Sequence, residues 1–395
     1  MLVVATYLYA LRSPTSITAP TLWAEGGTVF FKDAIERGWS ALFAPYSGQL
    51  LLFPRLVATI VAPLPAAIQP ALYAGVAMAV AVLSCGIVLS SRWRDAVPLS
   101  ARFVCLLALL CAPGVDETYG TLANTHWWLG LGLLLLGMLR DPLTRGIRIG
   151  ELAFAALAGT SGFAALYGIP ALGVRAIRNR SRHSLTVLGI AVLGVIVQVG
   201  VLLGSARRGD IAGIVSDPLA AVLVFAKRVM ATAAVGETNL AVLWPVRSPG
   251  AWALLAAILL TMALTLIWMR TTRMEMGALL LCLLGGWFLA LWAMTQPDSS
   301  VEMLFWSTAA ARFFLIPRAT LYISLVVAWP FLGIKRAALA LAGVLLLAGI
   351  LSDYHLAASP TVDWGPFAQC VDQARADCST VIPPGWSLHV DARGR

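Results

Sequence analysis

The sequence predicts an all-α polytopic membrane protein. The expected architecture is a bundle of about ten membrane segments that includes a short helix hairpin, with interfacial helices and a small polar tail on the outer face. Three observations carry this. Of 395 residues, 59% are hydrophobic and only 12% charged, which is too little charge to coat a water-soluble globule of that size and sets aside soluble enzymes, disordered chains, collagen and coiled coils. The apolar residues gather into long runs separated by short basic or Gly/Pro-containing stretches, the pattern of successive membrane crossings. The formal charge of +9 is concentrated in a few loops, so it reports topology before it reports a nucleic-acid partner.

The elements follow in order. Leu2 to Leu11 reads as the last half of a first helix; a cleaved signal peptide is the other reading, although no basic stretch precedes it. Runs of spanning or near-spanning length occupy 68 to 91, 184 to 204, 250 to 269, 276 to 295, 313 to 333 and 337 to 352, against the roughly 20 residues that a crossing needs. Shorter runs at 101 to 113, 126 to 139, 149 to 159 and 162 to 174 are too brief for upright crossings. They must tilt, thin the bilayer or pair as half-helices.

Orientation follows from Lys and Arg. If the loop at 92 to 102 is cytoplasmic, so are those at 140 to 151, 175 to 183, 270 to 275 and 335 to 336. Together they hold half of the 28 basic residues but, among 19 acidic ones, only Asp95, Asp141, Glu151 and Glu275. Both flanks of 149 to 174 are basic, so this segment enters and leaves on the cytoplasmic side and turns at Gly159-Thr160-Ser161-Gly162. Irregular backbone at membrane depth is tolerated where it is buried in protein or lines a wet cavity, which makes the hairpin a candidate wall of a binding site. One long tilted helix is the competing reading.

The outer face then receives residues 12 to 67, 114 to 125, 205 to 249, 296 to 312 and the tail from Ser352. Residues 1–352 form the transmembrane domain and 353–395 a small extracytoplasmic segment. Cys85, Cys105, Cys111 and Cys282 lie inside apolar runs as small hydrophobes, without metal-ligand spacing. Cys370 and Cys378 lie in the polar tail, as a disulfide in an oxidising compartment or as two free thiols. The stretch Ser387-Leu388-His389-Val390 alternates like a strand.

Chemistry is to be sought in the outer segments. Trp23-Ala24-Glu25-Gly26 precedes an amphipathic stretch from Thr28, with Phe30, Phe31, Ala34 and Ile35 on one face, Lys32/Glu36 and Asp33/Arg37 at i,i+4 spacing, and Gly38 as the stop. Such a helix lies in the interface plane. Glu25 is either a partner for the helix dipole or a catalytic carboxylate. Tyr46 follows in Pro45-Tyr46-Ser47-Gly48-Gln49, and Arg55 interrupts an apolar stretch, either snorkelling to headgroups or holding an anionic substrate.

The densest polar group is Asp116-Glu117-Thr118-Tyr119-Gly120 with Asn124-Thr125-His126-Trp127-Trp128. Acids, an amide, an imidazole and indoles at a membrane boundary suit a sugar; helix capping and an aromatic belt are the structural readings. Arg312 enters a helix ahead of Phe313 and Phe314, as a phosphate clamp or a helix anchor. Arg318 lies deeper, where it is costly unless paired. There is no GxxxxGK[ST], no GxGxxG opening a helix after a strand, no HExxH and no paired metal spacing, so soluble-nucleotide chemistry is set aside.

At these residues the chain resembles the GT-C superfamily of polytopic glycosyltransferases, in particular compact bacterial members that use polyprenyl-phosphate sugars on the outer side of the inner membrane. The resemblance rests on Trp23-Ala24-Glu25-Gly26, Pro45-Tyr46-Ser47-Gly48, Pro54-Arg55, Asn124-Thr125-His126-Trp127, Ser161-Gly162-Phe163, Arg312-Phe313-Phe314 and Pro384-Gly385-Trp386. It covers nearly the whole chain through loose motifs. Similar members often show an acidic pair where Glu25-Gly26 stands, so Gly26 departs from the pattern.

The resemblance implies sugar transfer from a polyprenyl-phosphate donor to a hydroxyl of a glycan, lipid or protein, in a multi-pass inner-membrane enzyme whose site faces the periplasm. Glu25 would be the base, with Glu117 as runner-up. Arg312 would steady the departing lipid phosphate, and Lys32, Tyr46, Arg55, Asp116, Asn124, His126 and Trp127 would complete the substrate-binding set. No cofactor is needed, although Glu25, Asp116 and Glu117 are types that could share a divalent ion. Rival readings are a lipid-linked sugar flippase or transporter, and a membrane acyltransferase using His126 and Asn124; no inverted repeat is visible in the hydropathy to favour transport.

Overall fold

Helices make up nearly all of the regular structure among the described residues, with one β-hairpin near the C-terminus. The computed structural model describes residues 1–93, 97–205, 218–243, 310–328, 336–357 and 360–393, with positions 277, 280 and 285. The run expected at 250 to 269 and nearly all of that at 276 to 295 lie outside these residues. The helices are α1 (Leu2–Leu11), α2 (Thr15–Thr18), α3 (Lys32–Arg37), α4 (Leu52–Val61), α5 (Gln69–Gly86), α6 (Leu99–Leu110), α7 (Thr125–Gly137), α8 (Arg145–Gly159), α9 (Ile169–Asn179) and α10 (Arg182–Leu203). After these come α11 (Pro218–Phe225), α12 (Thr232–Val235), α13 (Glu237–Leu243), α14 (Leu315–Ala328), α15 (Arg336–Ser352) and α16 (Gly365–Asp372).

Among the described residues two helices are long and apolar enough to cross a membrane, Ala66–Leu89, which contains α5, and Arg182–Leu203, which is α10. The second is turned inside out relative to a helix on a soluble protein. Its exposed face carries Leu185, Leu193, Ile196 and Leu203, and its buried face carries Ser184, Ala191, Gly194 and Gln198. Water would not stabilise that arrangement; apolar surroundings do.

At the centre stands α7, buried at all 13 of its positions. Small residues let its neighbours approach. A Cβ on Gly130 would lie 2.3 Å from the Ala164 carbonyl oxygen, and one on Gly194 of α10 would lie 2.6 Å from the Gly159 Cα of α8. Glycine is the residue that permits such backbone contact, and close contact is what holds apolar helices together where burial gives little drive.

The segment 149 to 174 is a hairpin. Helix α8 ends at Gly159, and Gly162 takes φ +108°, a value that L side chains avoid. A short 3-10 stretch, Phe163–Gly168, leads into α9. Arg175 on α9, fully buried, reaches Glu151 on α8 at 2.7 Å, so the two open ends lie together. The tip is held by the first outer segment: Leu51 pairs with Ser161, Phe53 N–H donates to Ser161 Oγ at 2.9 Å, and Gln198 of α10 bonds both backbone groups of Leu50. A single long tilted helix does not fit this geometry.

The basic loops expected on one face meet one another. Arg140 N–H donates to the Arg92 carbonyl at 2.9 Å, and Glu151 receives Arg92, Arg175 and His183 at 2.6, 2.7 and 2.7 Å. Asp141 accepts from Arg175, Asn179, Ser181 and Ser184. The outer segments meet at the other end of α7, about 20 Å away at 1.5 Å per residue.

The C-terminal segment folds as α16 and a hairpin of β1 (Cys378–Ile382) and β2 (Trp386–Val390), antiparallel with Cys378 opposite Val390. A disulfide joins Cys370 to Cys378. Phe367, Val371, Ile382 and Leu388 pack on Leu22, Phe30, Phe31 and Ile35, so the expected apolar face of the interfacial helix is covered by protein. The helix begins earlier than the periodicity suggests, with one π-type stretch from Gly26 to Phe31. Arg37 lies 3.8 Å from Asp33, whereas Glu36 turns to accept Asp391 N–H at 2.9 Å.

Candidate functional site

The segments expected on the outer face converge on the loop between α6 and α7. Its backbone is fixed from below: Asn124 Nδ2 and Thr121 Oγ1 donate to the Glu117 carbonyl at 2.6 and 2.7 Å, and Trp128 Nε1 donates to the Thr118 carbonyl at 3.1 Å. These bonds leave Asp116 and Glu117 projecting from a single 3-10 turn, Asp116–Thr118.

Glu117 is fully engaged. Its Oε1 accepts Ala310 N–H at 3.0 Å, and its Oε2 accepts the Arg312 N–H and guanidinium at 3.3 and 3.2 Å. It therefore holds the chain where it enters α14. Arg312 is partly exposed and lies over the Phe313 ring at 5.2 Å. Phe313 meets Trp127 edge-on with centroids 5.2 Å apart, and Trp127 meets His126 at 4.9 Å. Trp127 and His126 are buried and Phe313 partly so, and among the described residues Trp127 Nε1 has no hydrogen-bond partner.

A cavity of about 210 Å³ opens above the turn. Trp23, Asp116, Glu117, Tyr119, Thr121 and Ser13 are among the residues that line it. Glu25 is not. It stands two residues beyond Trp23, where Tyr46 OH donates to its Oε1 at 3.4 Å. The structure thus brings Trp23 and the Asp116-Glu117 pair into one chamber and leaves Glu25 on the adjoining turn.

Asp116 differs from both glutamates: among the described residues no side chain bonds it, and it is exposed where it lines the cavity. Burial raises its pKa above the ordinary aspartate value, and the neighbouring charge of Asp353 adds to this. The guanidinium groups of Arg12 and Arg318 pull the other way without reversing the direction. Both arginines are buried and donate to backbone carbonyls: Arg12 to those of Tyr354, Leu110, Ala112 and Asp353, Arg318 to those of Phe314, Gly114 and Ala311. Arg228 is buried against Glu237 at 3.6 Å and Phe314 at 5.1 Å. Asp353 caps α13 by accepting the N–H groups of Glu237 and Thr238 at 2.6 and 3.0 Å.

Other expected site residues have scaffold partners. Arg55 is 2% exposed, bonds Asp33 Oδ2 at 2.8 Å and lies over Phe30; it neither snorkels nor faces the cavity. Asn124 supports the loop as above, and His126 is buried with Nδ1 2.9 Å from the Ala123 carbonyl, so the two do not form an acyl-transfer pair. Lys32 is half-buried on the turn after Glu25. Among the described residues no three His, Cys, Asp or Glu side chains gather to hold a metal ion, and Glu25 stands apart from the cavity that Asp116 and Glu117 line.

Sequence reasoning missed Arg12 and Ser13, and named Tyr119 only as a member of the 116 to 120 group. The available signal was that an arginine closing an apolar run needs buried partners, a test applied only to Arg318. No protein-family model matches the chain, and no curated protein or solved structure is similar to it.

Proposed function

We propose that the protein is a multi-pass inner-membrane glycosyltransferase of GT-C type, with about ten membrane segments, that moves a sugar from a polyprenyl-phosphate donor to a hydroxyl acceptor on the outer side. The observation that carries this reading is the cavity lined by both Trp23 and Asp116, the latter bonded by no other side chain among the described residues. An indole offers a flat apolar face to a sugar ring, and a carboxylate beside it accepts hydroxyl protons.

The chemistry balances with this chain's residues. The acceptor oxygen attacks the anomeric carbon, the bond from that carbon to the phosphate oxygen breaks, and the acceptor proton passes to Asp116. The polyprenyl phosphate departs with the electron pair, stabilised by the exposed part of Arg312. Asp116 replaces Glu25 as the first choice for base because it lines the cavity, its pKa is shifted upward, and among the described residues no other side chain bonds it. Glu25, through Tyr46, positions the turn that carries Trp23. The disulfide supports the outward placement, since such bonds persist in oxidising compartments.

The test is transfer from a synthetic polyprenyl-phosphate sugar by purified protein. Asp116→Asn is expected to lower kcat by about 100-fold or more, and Glu25→Gln by less. Undiminished turnover in Asp116→Asn refutes the assignment. If Glu25→Gln alone abolishes transfer, the base is Glu25.

A further inference from the structure

Resting on the reading above, we infer that the cavity is the acceptor subsite and that it admits one uncharged sugar ring while rejecting rings that carry a carboxylate or phosphate. Size sets the first part. The cavity of about 210 Å³ falls below the roughly 300–1,000 Å³ of pockets that enclose drug-sized ligands, so it encloses one ring and leaves the remainder of a longer acceptor outside.

The lining sets the second part. Its polar side chains are the carboxylates of Asp116 and Glu117, the second held by Ala310 and Arg312, and the hydroxyls of Ser13, Ser16, Thr21 and Thr121, with the Trp23 indole and the Tyr119 ring as flat surfaces. Tyr119 OH is turned away to donate to the Tyr9 carbonyl at 2.9 Å, so that residue offers its ring. Among the described residues no Lys or Arg lines the cavity. The cations that act on Asp116 have their hydrogens elsewhere: Arg12 makes four hydrogen bonds to backbone carbonyls, and Arg318 donates to those of Phe314, Gly114 and Ala311.

A ring hydroxyl entering this space finds acceptors and hydroxyl partners. A ring carboxylate finds no charged donor to replace its lost water, and it meets Asp116. The discrimination is therefore by repulsion and by the lack of a partner, the form of selectivity that rejects an ill-matched ligand most strongly.

The experiment uses the full chain in lipid nanodiscs without donor. Ligand-observed NMR compares methyl glucoside and methyl galactoside with the matching methyl glucuronide and galacturonide. The uncharged glycosides are expected to bind and the uronides to bind at least about tenfold more weakly, a gap of 1.4 kcal/mol. Asp116→Asn is expected to bring each pair to within about threefold, and Trp23→Leu to weaken both members together. Equal binding of the uronides by the unaltered chain, no binding by any glycoside, or a gap that Asp116→Asn leaves unchanged overturns the inference. The readout is independent of catalysis. Discriminating binding without sugar transfer sinks the transferase reading alone, and transfer to uronate acceptors sinks the subsite alone.

Discussion

Replacing Glu151 by Gln should loosen the base of the hairpin and destabilise the protein by about 3 kcal/mol. Glu151 is 5% exposed and receives three basic groups, of which Arg175 is fully buried at 2.7 Å. Removing one partner from a buried ion pair costs roughly 3–5 kcal/mol because the remaining charge is left without compensation. Arg175 retains Asp141 at 3.1 Å and the Leu136 carbonyl at 3.3 Å, which sets the lower end of that range. Arg92 is partly solvated and adds at most about 1 kcal/mol, as surface pairs do. The assay is SDS-induced unfolding of purified protein in mixed micelles, followed by tryptophan fluorescence, for Glu151→Gln, Arg175→Gln and the double variant. The cycle should give a coupling of about 2 kcal/mol. A single-variant cost below about 1 kcal/mol, or a coupling within about 0.5 kcal/mol of zero, would refute the reasoning that this pair closes the hairpin.

Three more outcomes follow from the same geometry. Burial alone would raise the Asp141 pKa, but hydrogen bonds from Ser181, Ser184 and Arg175 prevail and lower it from 3.8 to about 2. Its contribution is therefore full above the unfolded value and is lost as pH falls through the folded one, so Asp141→Asn should flatten the loss of stability between about pH 4 and pH 2, read by thermal unfolding across that window. Gly162→Ala should cost about 1–3 kcal/mol, because φ is +108° and the new Cβ would lie 2.9 Å from Gln49 Oε1 and 3.1 Å from His126 Cδ2; Gly146→Ala, whose Cβ meets nothing within 4 Å, should not destabilise and serves as the control in the same melt. Asp33→Ala strips Arg55 of its 2.8 Å partner and should cost about 2 kcal/mol, less than a fully buried pair because Asp33 itself is partly solvated; a neutral result in SDS unfolding would show that Arg55 finds other compensation.

What could be read from the sequence was whatever is local. The turn at Gly159-Thr160-Ser161-Gly162 follows from two short apolar runs with basic flanks, and the covered face of Phe30, Phe31, Ala34 and Ile35 follows from their spacing. The strand at Ser387 to Val390 follows from alternation. Pairings across long separations left no such mark. Asp33 with Arg55, Glu117 with Arg312 and Arg12 with the carbonyls of Tyr354 and Asp353 join segments that only the folded chain brings together. Charge counting placed Asp141, Glu151 and Arg175 on one face but read them as topology, and their mutual bonding was invisible to a count. Within the site, composition singled out the Asp116-Glu117 loop. It could not tell an occupied carboxylate from a free one, because that depends on the backbone of Ala310 and Arg312, almost two hundred residues further on.

The docking of the C-terminal segment on the first outer loop has a consequence for biogenesis. Ala24 N–H reaches the Pro383 carbonyl at 2.8 Å, and Ile382 and Leu388 press against Gly27. The ribosome makes these partners more than three hundred residues apart, so the loop bearing Trp23 and Glu25 waits with its oily side bare until the tail has been made. An insertion chaperone, or the lipid surface itself, must shelter Phe30 and Phe31 in that interval, and a nascent chain stalled before Phe367 would present them to quality-control proteases.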